Sequence, residues 1–178
     1  MSRQYCEIAP NHPIHGPYHD REYGFRVADE RVLFERLCLE IMQAGLSWEI
    51  VLKKRKALNK AFDQFNPIKV AKYRAKDLKR MLADETIIRN RLKIMAIIHN
   101  AHVIIDLRKS HGGFAQWLES NRLVEKKSHS KAEWVKLFRK TFKFTGGEIT
   151  GEFLMSIGYL PGAHWEGCPV GKKIRNLV

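Results

Sequence analysis

Cysteine is scarce in this chain: Cys6, Cys38 and Cys168 are the only three among 178 residues. An odd, widely spaced set in a chain without an export signal argues against a disulfide framework, which leaves metal binding or plain burial for these thiols. Long apolar runs are also lacking. Hydrophobic residues make up 44% of the chain, but no run approaches the roughly 20 residues that a membrane-spanning helix needs. The opening Met1-Ser2-Arg3-Gln4-Tyr5-Cys6 has no signal-peptide core, so a soluble, cytoplasmic protein is expected. Neither strand-like alternation nor internal repeats nor low-complexity tracts appear, which points to an all-α fold. The length suits one compact domain over residues 1–178.

Acidic residues are sparse in the middle of the chain. Of the net charge of +13, residues 53–93 carry +10, with 14 Lys and Arg against four Asp and Glu, whereas residues 1–52 sum to −3 and residues 94–178 to +6. A positive segment of this density is the footprint of a surface that meets a polyanion, since each neutralised phosphate releases counterions. A merely solvated basic face is the plainer alternative.

Pro10, Pro13, Pro17, Gly16 and Gly24 crowd the first 28 residues, which predicts an irregular arm with little helix. Helical periodicity begins at Glu30, where Leu33, Leu37, Ile41 and Ala44 form an apolar stripe that Gly45 ends. Ser47 can cap a second, basic helix, predicted to run until Asn66-Pro67. A short helix near 77–82, a tight turn, and a long helix over 92–107 follow, with further helices at 113–121, 131–141 and 148–158. The helical core is thus read as 30–158, flanked by arms at 1–28 and 160–178.

Several residues in this frame can carry chemistry. Cys6 and His19 in one arm, with His164 and Cys168 in the other, offer two thiolates and two imidazoles, a set that suits a closed tetrahedral zinc site and would tie the chain ends together. Cys38 falls on the core stripe and is set aside, and spacing alone leaves ordinary surface histidines as the alternative. Glu40 lies at the edge of the first helix's apolar stripe, where a carboxylate is either paired or functional. Pattern alone favours a salt bridge to Arg36, four residues earlier. Trp48 begins the basic helix just after the exposed Leu46, an arrangement suited to base stacking and duplex wedging, although a Trp at a helix junction is more often core. The turn Ile87-Ile88-Arg89-Asn90-Arg91-Leu92-Lys93 can offer amides and three cations to a phosphate, with Asn90 the residue best suited to any positive φ it requires. An ordinary hairpin with a solvated tip is the alternative.

Pro17-Tyr18-His19-Asp20-Arg21-Glu22-Tyr23-Gly24, Leu39-Glu40-Ile41-Met42-Gln43-Ala44-Gly45-Leu46-Ser47-Trp48, Ile87-Ile88-Arg89-Asn90-Arg91, Phe142-Lys143-Phe144-Thr145-Gly146 and His164-x3-Cys168, in this order, together resemble the bacterial DNA-3-methyladenine glycosylase I family. The resemblance implies a helix-hairpin-helix glycosylase fold in a cytoplasmic bacterial protein, with Cys6, His19, His164 and Cys168 as ligands of one structural zinc. It implies that Glu40 reads a base flipped from alkylated double-stranded DNA, with Tyr18 and Trp48 as pocket walls and His15 standing where a pocket tyrosine is usual. Leu46 then approaches the duplex, and Lys53, Arg89, Arg91 and Lys93 hold phosphates. The implied reaction is hydrolysis of the N-glycosidic bond of 3-methyladenine, expected without strand cutting since no lysine stands out as a lyase nucleophile; a monomer is the default expectation, with no obligate protein partner inferred. Departures at Ile8, His15, Tyr23, Ile41, Met42, Thr86, Leu92 and 147–151 mark a divergent branch. Two other readings stay open: a zinc-stabilised DNA-binding module without excision, and a glycosylase for another alkylated base such as 3-methylguanine.

Overall fold

The computed structural model describes residues 3–124 and 127–177. Its central element is α3 (Glu30–Gln43), capped by Asp29, whose carboxylate accepts from the amides of Arg31 and Val32 at 2.9 and 3.0 Å. Leu33, Phe34, Leu37 and Ile41 on its apolar face are fully buried. At its end Ala44 leaves helical geometry and Gly45 takes φ +78°, a left-handed conformation that glycine adopts without steric cost. The next helix, α4 (Trp48–Ala61), starts from Ser47, whose hydroxyl accepts from the Ile50 amide.

The basic helix was expected to continue to Asn66, but it ends a turn earlier. Asp63, Gln64 and Phe65 all take left-handed φ values of 50, 57 and 49°, a conformation that disfavours L-residues by about 1–2 kcal/mol each. Tertiary contacts hold the reversal in place: Tyr73 donates to Asp63 Oδ2 at 2.6 Å, and the Phe65 ring stacks on Phe62 with centroids 5.5 Å apart. Short helices α5 (Pro67–Val70) and α6 (Ala75–Ala83) then lead through a turn to the long α7 (Arg91–His111). Asn90 does not take the positive φ that the turn was expected to need. Its φ is −128°, and its side chain caps α7 by accepting from the Lys93 amide. The chain continues through α8 (Phe114–Ser120), α9 (Lys131–Thr141) and α10 (Gly147–Ser156), close to the predicted spans, and closes with α11 (Pro169–Arg175). One minimal departure from an all-helical chain is an antiparallel ladder pairing Leu123 with Ser128 and Val124 with Lys127.

The N-terminal arm is more regular than its prolines suggested, for it holds α1 (Arg3–Ile8) and α2 (His15–Arg21). Pro10 and Pro13 fall between the two helices, and Pro17 sits in the first turn of α2, where the amide it lacks would have no intrahelical acceptor. One hydrophobic core runs from Tyr5 to Ala163, with α4, α7, α8 and α10 packed around α3. Among the described residues no helix is long and apolar enough to cross a membrane. At the C-terminal end of α10, Gly158 has φ +72°, and a Cβ there would lie 2.6 Å from the Gly24 carbonyl oxygen. That close approach, with the Gly24 amide donating to Ser156 O at 2.8 Å, lays the C-terminal tail against the N-terminal arm.

Candidate active site

Closing the two arms gathers four donors contributed by α1, α2 and the tail. Cys6 Sγ lies 3.6 Å from His164 Nδ1, while Cys168 Sγ lies 3.4 Å from that same nitrogen and 3.7 Å from His19 Nε2. The four donor atoms all fall within 4.8 Å of one another, a grouping able to hold a metal ion. Both imidazoles are oriented through their other nitrogen: His19 Nδ1 meets Asp20 Oδ1 at 2.7 Å, and His164 Nε2 meets the Tyr23 carbonyl at 2.9 Å. Such outer partners fix the tautomer that leaves the inner nitrogen's lone pair free for a metal. Cys38 is buried within α3, away from this cluster.

Glu40 occupies the last turns of α3 and is only 2% exposed. The expected ion pair with Arg36 does not form. Arg36 turns instead toward the N-terminal arm, where Nη2 bonds Glu22 Oε2 at 2.8 Å and the guanidinium lies 4.9 Å over the Tyr18 ring. Glu22 also binds Arg55, which in turn holds Glu35 through two hydrogen bonds of 2.9 and 3.0 Å. This four-membered network draws the Arg36 Nη atoms to Glu22 and leaves the Glu40 carboxyl without a hydrogen bond from any described residue. Burial, reinforced by the nearby charge of Glu152 and only partly offset by Arg36, pushes the Glu40 carboxyl up to about 8.

Glu40 lines a cavity of about 580 Å³, together with Gln43 to Leu46 on one side and Gly146 to Ile149 and Glu152 on the other. Sequence reasoning missed Glu152. The signal was present, since Glu148, Ile149 and Glu152 share one face of α10 at helical spacing, but two acids four apart on a short helix read as an ordinary solvated face. Tyr23 donates to Glu152 Oε2 at 3.2 Å and joins this wall to the N-terminal arm.

Tyr18 and Trp48 come together as an edge-on pair with centroids 5.0 Å apart, and both are buried. Among the described residues neither Tyr18 Oη nor Trp48 Nε1 has a hydrogen bond of good geometry, although Ser156 lies near the first and Tyr5 near the second, and the Tyr18 hydroxyl feels the charges of Arg36 and Glu40. His15 is placed differently, packed edge-on against Tyr5 with Nδ1 3.5 Å from its hydroxyl and stacked beside His12. None of these three residues is among those lining the cavity. Tyr5, which sequence reasoning also passed over, touches His15, His19 and Tyr23 and so links the four-donor cluster to the Tyr18–Trp48 pair.

Residues expected to face DNA divide into two groups. Leu46 is 38% exposed on the cavity rim, and Lys53, Arg89 and Arg91 are exposed, with Lys53 and Arg89 in surface ion pairs to Glu49 and Glu85. Lys93 corrects the expectation. It is 5% exposed, and its ammonium donates to the carbonyls of Met42 and Ala44 at 2.9 and 2.5 Å. Lys54 is likewise engaged, bonding the carbonyls of Glu85 and Thr86, and Arg55 belongs to the network around Glu22. The basic segment is therefore partly an internal brace, and its free charge is smaller than its residue count.

The chain is similar to known proteins over most of its length. It is 36% identical over 177 residues to DNA-3-methyladenine glycosylase 1 of Escherichia coli K12, covering 92% of this chain and 94% of that one. It is 35% identical to DNA-3-methyladenine glycosylase of Haemophilus influenzae, over 92% and 96% of the two chains. Its fold matches that of 3-methyladenine DNA glycosylase I from Staphylococcus aureus, solved to explain 3-methyladenine recognition, with a TM-score of 0.83, 29% identity and coverage of 96% and 97%. The methyladenine glycosylase family model matches residues 8–171, and the chain belongs to that family.

Proposed function

We propose that this protein is a base-excision repair glycosylase that hydrolyses the N-glycosidic bond of 3-methyladenine in alkylated DNA. The observation that carries this reading is Glu40: a buried carboxyl with no hydrogen-bond partner among the described residues, facing a cavity also lined by Glu148 and Glu152. Methylation at N3 makes adenine cationic and weakens its bond to the sugar, so the leaving base needs no protonation. A flipped cationic base gains from the carboxylate and from aromatic faces, and normal adenine lacks the charge. Glu40 hydrogen-bonds the base, and its negative charge supports the oxocarbenium-like sugar as water attacks. The reaction in this reading is simple hydrolysis that leaves the strand intact.

In this reading α6, the following turn and the start of α7 form the helix-hairpin-helix element that grips the duplex. Arg89 and Arg91, with Lys53 on α4, meet phosphates, and Leu46 wedges into the stack near the flipped base. His15 supports the aromatic wall from behind Tyr5.

Zinc is the metal that the four-donor cluster suits. Tetrahedral Zn–S and Zn–N bonds set a sulfur-to-nitrogen edge of about 3.6 Å, and the Cys–His separations of 3.4 to 3.7 Å match it. Cys6, His19, His164 and Cys168 fill all four positions, so the metal is structural and joins the arms without touching the reaction.

The test is to incubate the purified protein with methylated duplex DNA, separate the released bases and measure strand breaks. The reading expects free 3-methyladenine, little normal adenine and strands that break only after alkali. Binding of DNA without base release would favour the non-catalytic alternative, and release of 3-methylguanine alone would move the lesion assignment.

A further inference from the structure

We propose that Lys93 is a positioning residue for excision, a clamp that fixes the Ala44–Leu46 loop and the Glu40 end of α3 to the start of α7. This inference rests on the glycosylase reading and deepens it. Lys93 lies two residues past Arg91, so a phosphate contact would be its obvious role. Its burial and its bonds exclude that role, because both resolved contacts of the ammonium are the carbonyls of Met42 and Ala44.

Those carbonyls belong to the C-terminal end of α3, where the last oxygens lack intrahelical donors and the helix dipole favours a cation. Lys93 supplies both donor and charge. Immediately beyond, the chain reverses: Ala44 leaves helical geometry, Gly45 takes φ +78°, and the Leu46 amide donates to Gln43 O at 2.6 Å. Gln43, Ala44, Gly45 and Leu46 are one wall of the cavity, and Glu40 lies one turn back along the same helix. The root of the clamp is equally fixed, since the Lys93 amide donates to the capping Asn90 side chain at 3.1 Å.

No carboxylate pairs with Lys93 among the described residues, and burial pushes its ammonium down from its usual value. A methionine would fill the same space without the desolvation cost of a charge, so the charge is explained by what it holds. The clamp places three parts in one rigid register: the arginines at the tip, the exposed Leu46 and the Glu40 carboxyl. A displacement of about 1 Å at such a junction is enough for a hundredfold loss of rate.

The experiment compares the metal-loaded wild type with Lys93→Met and Lys93→Arg in three measurements. These are single-turnover release of 3-methyladenine at saturating enzyme, the salt dependence of binding to undamaged duplex, and amide exchange of residues 44–46 without DNA. The clamp predicts that Lys93→Met loses about 10- to 100-fold in single-turnover rate and exchanges faster at 44–46. Its salt slope stays that of wild type, whereas loss of a phosphate contact would lower the slope by about 0.9. Lys93→Arg, which keeps a cationic donor, retains most of the rate and protection. A slope reduced by that amount with exchange unchanged overturns the proposal, as does a Met variant that is no slower than the Arg variant. Should Lys93→Met fail to fold, the Arg variant decides through its exchange at 44–46, with protection like wild type expected and its loss contradictory. If the wild type itself releases no base, the glycosylase reading fails, and the exchange measurement still decides the clamp.

Discussion

Arg36 gives its guanidinium to Glu22, 2.8 Å away on the N-terminal arm, and not to Glu40 one turn along its own helix. The choice has two consequences. It ties α3 to the arm that carries Cys6 and His19, and it leaves the Glu40 carboxyl without a hydrogen bond from any described residue. Arg36 is 3% exposed in its side chain, so Arg36→Met strips Glu22 of a buried partner. A loss of about 2–3 kcal/mol is expected, to be read from the denaturant midpoint at constant slope.

Glu40 also sets a pH dependence. If the ionised carboxyl is the form that captures the cationic base, kcat/KM on 3-methyladenine DNA rises with pH and levels off above about 8. Glu152→Gln removes a charge that raises this carboxyl and moves the limb to lower pH. Arg36→Met removes a charge that lowers it and moves the limb upward. The opposite order of the two variants would show that Glu40 is not the titrating group.

The same shift appears in stability. Because the folded carboxyl is raised above its unfolded value near 4.5, the folded state holds the extra proton between about 4.5 and 8, and stability falls as pH rises through that window. Glu40→Gln lacks this penalty. Its advantage in Tm over the wild type is expected to open above pH 4.5 and to become constant beyond about pH 8. A glutamine variant less stable than wild type at pH 8 would mean that the carboxylate is paired in the fold.

Much of this was legible in the sequence because it was local. Periodicity and caps placed α3, α7 and α9 close to their spans, whereas the non-local set Cys6, His19, His164 and Cys168 was singled out by the family resemblance more than by spacing, and the fold does assemble it. What failed was decided by tertiary contacts. Residues 63–65 look helical, yet Tyr73 and Phe62 hold them left-handed. Arg36 has a partner at i+4, but a better one comes from the N-terminal arm. Lys93 sits in a basic run, and only packing of α7 on α3 shows that its charge points inward. Glu152 gained its meaning from α10 docking across the cavity from Glu40. Charge counting sees residues, whereas burial and distance decide which charges remain free.

Metal removal tests the joined arms. Loading with zinc at a hundredfold excess over its Kd stabilises a site absent from the unfolded chain by about 2.7 kcal/mol, or about 5–10 °C in Tm for a chain of this size. Thermal scans with chelator and with added zinc should show that difference, and Cys168→Ser should abolish it while leaving helical content largely intact. A Tm indifferent to zinc would remove the metal from the account.

The wedge role proposed for Leu46 is separable from base chemistry. Leu46→Ala is expected to slow release from duplex DNA by about tenfold, since the truncated side chain gives up part of the few kcal/mol needed to hold a base step unstacked. Release from methylated single strands should hardly change. Equal losses on both substrates would place Leu46 in the base pocket instead.

The central claim, that an unpaired Glu40 reads a cationic base, is tested most directly by release of 3-methyladenine from methylated duplex by wild type and Glu40→Gln under single turnover, with folded fractions matched by circular dichroism. The account predicts steady release by wild type and a loss of about a hundredfold or more in the variant. Equal release by both proteins would contradict it.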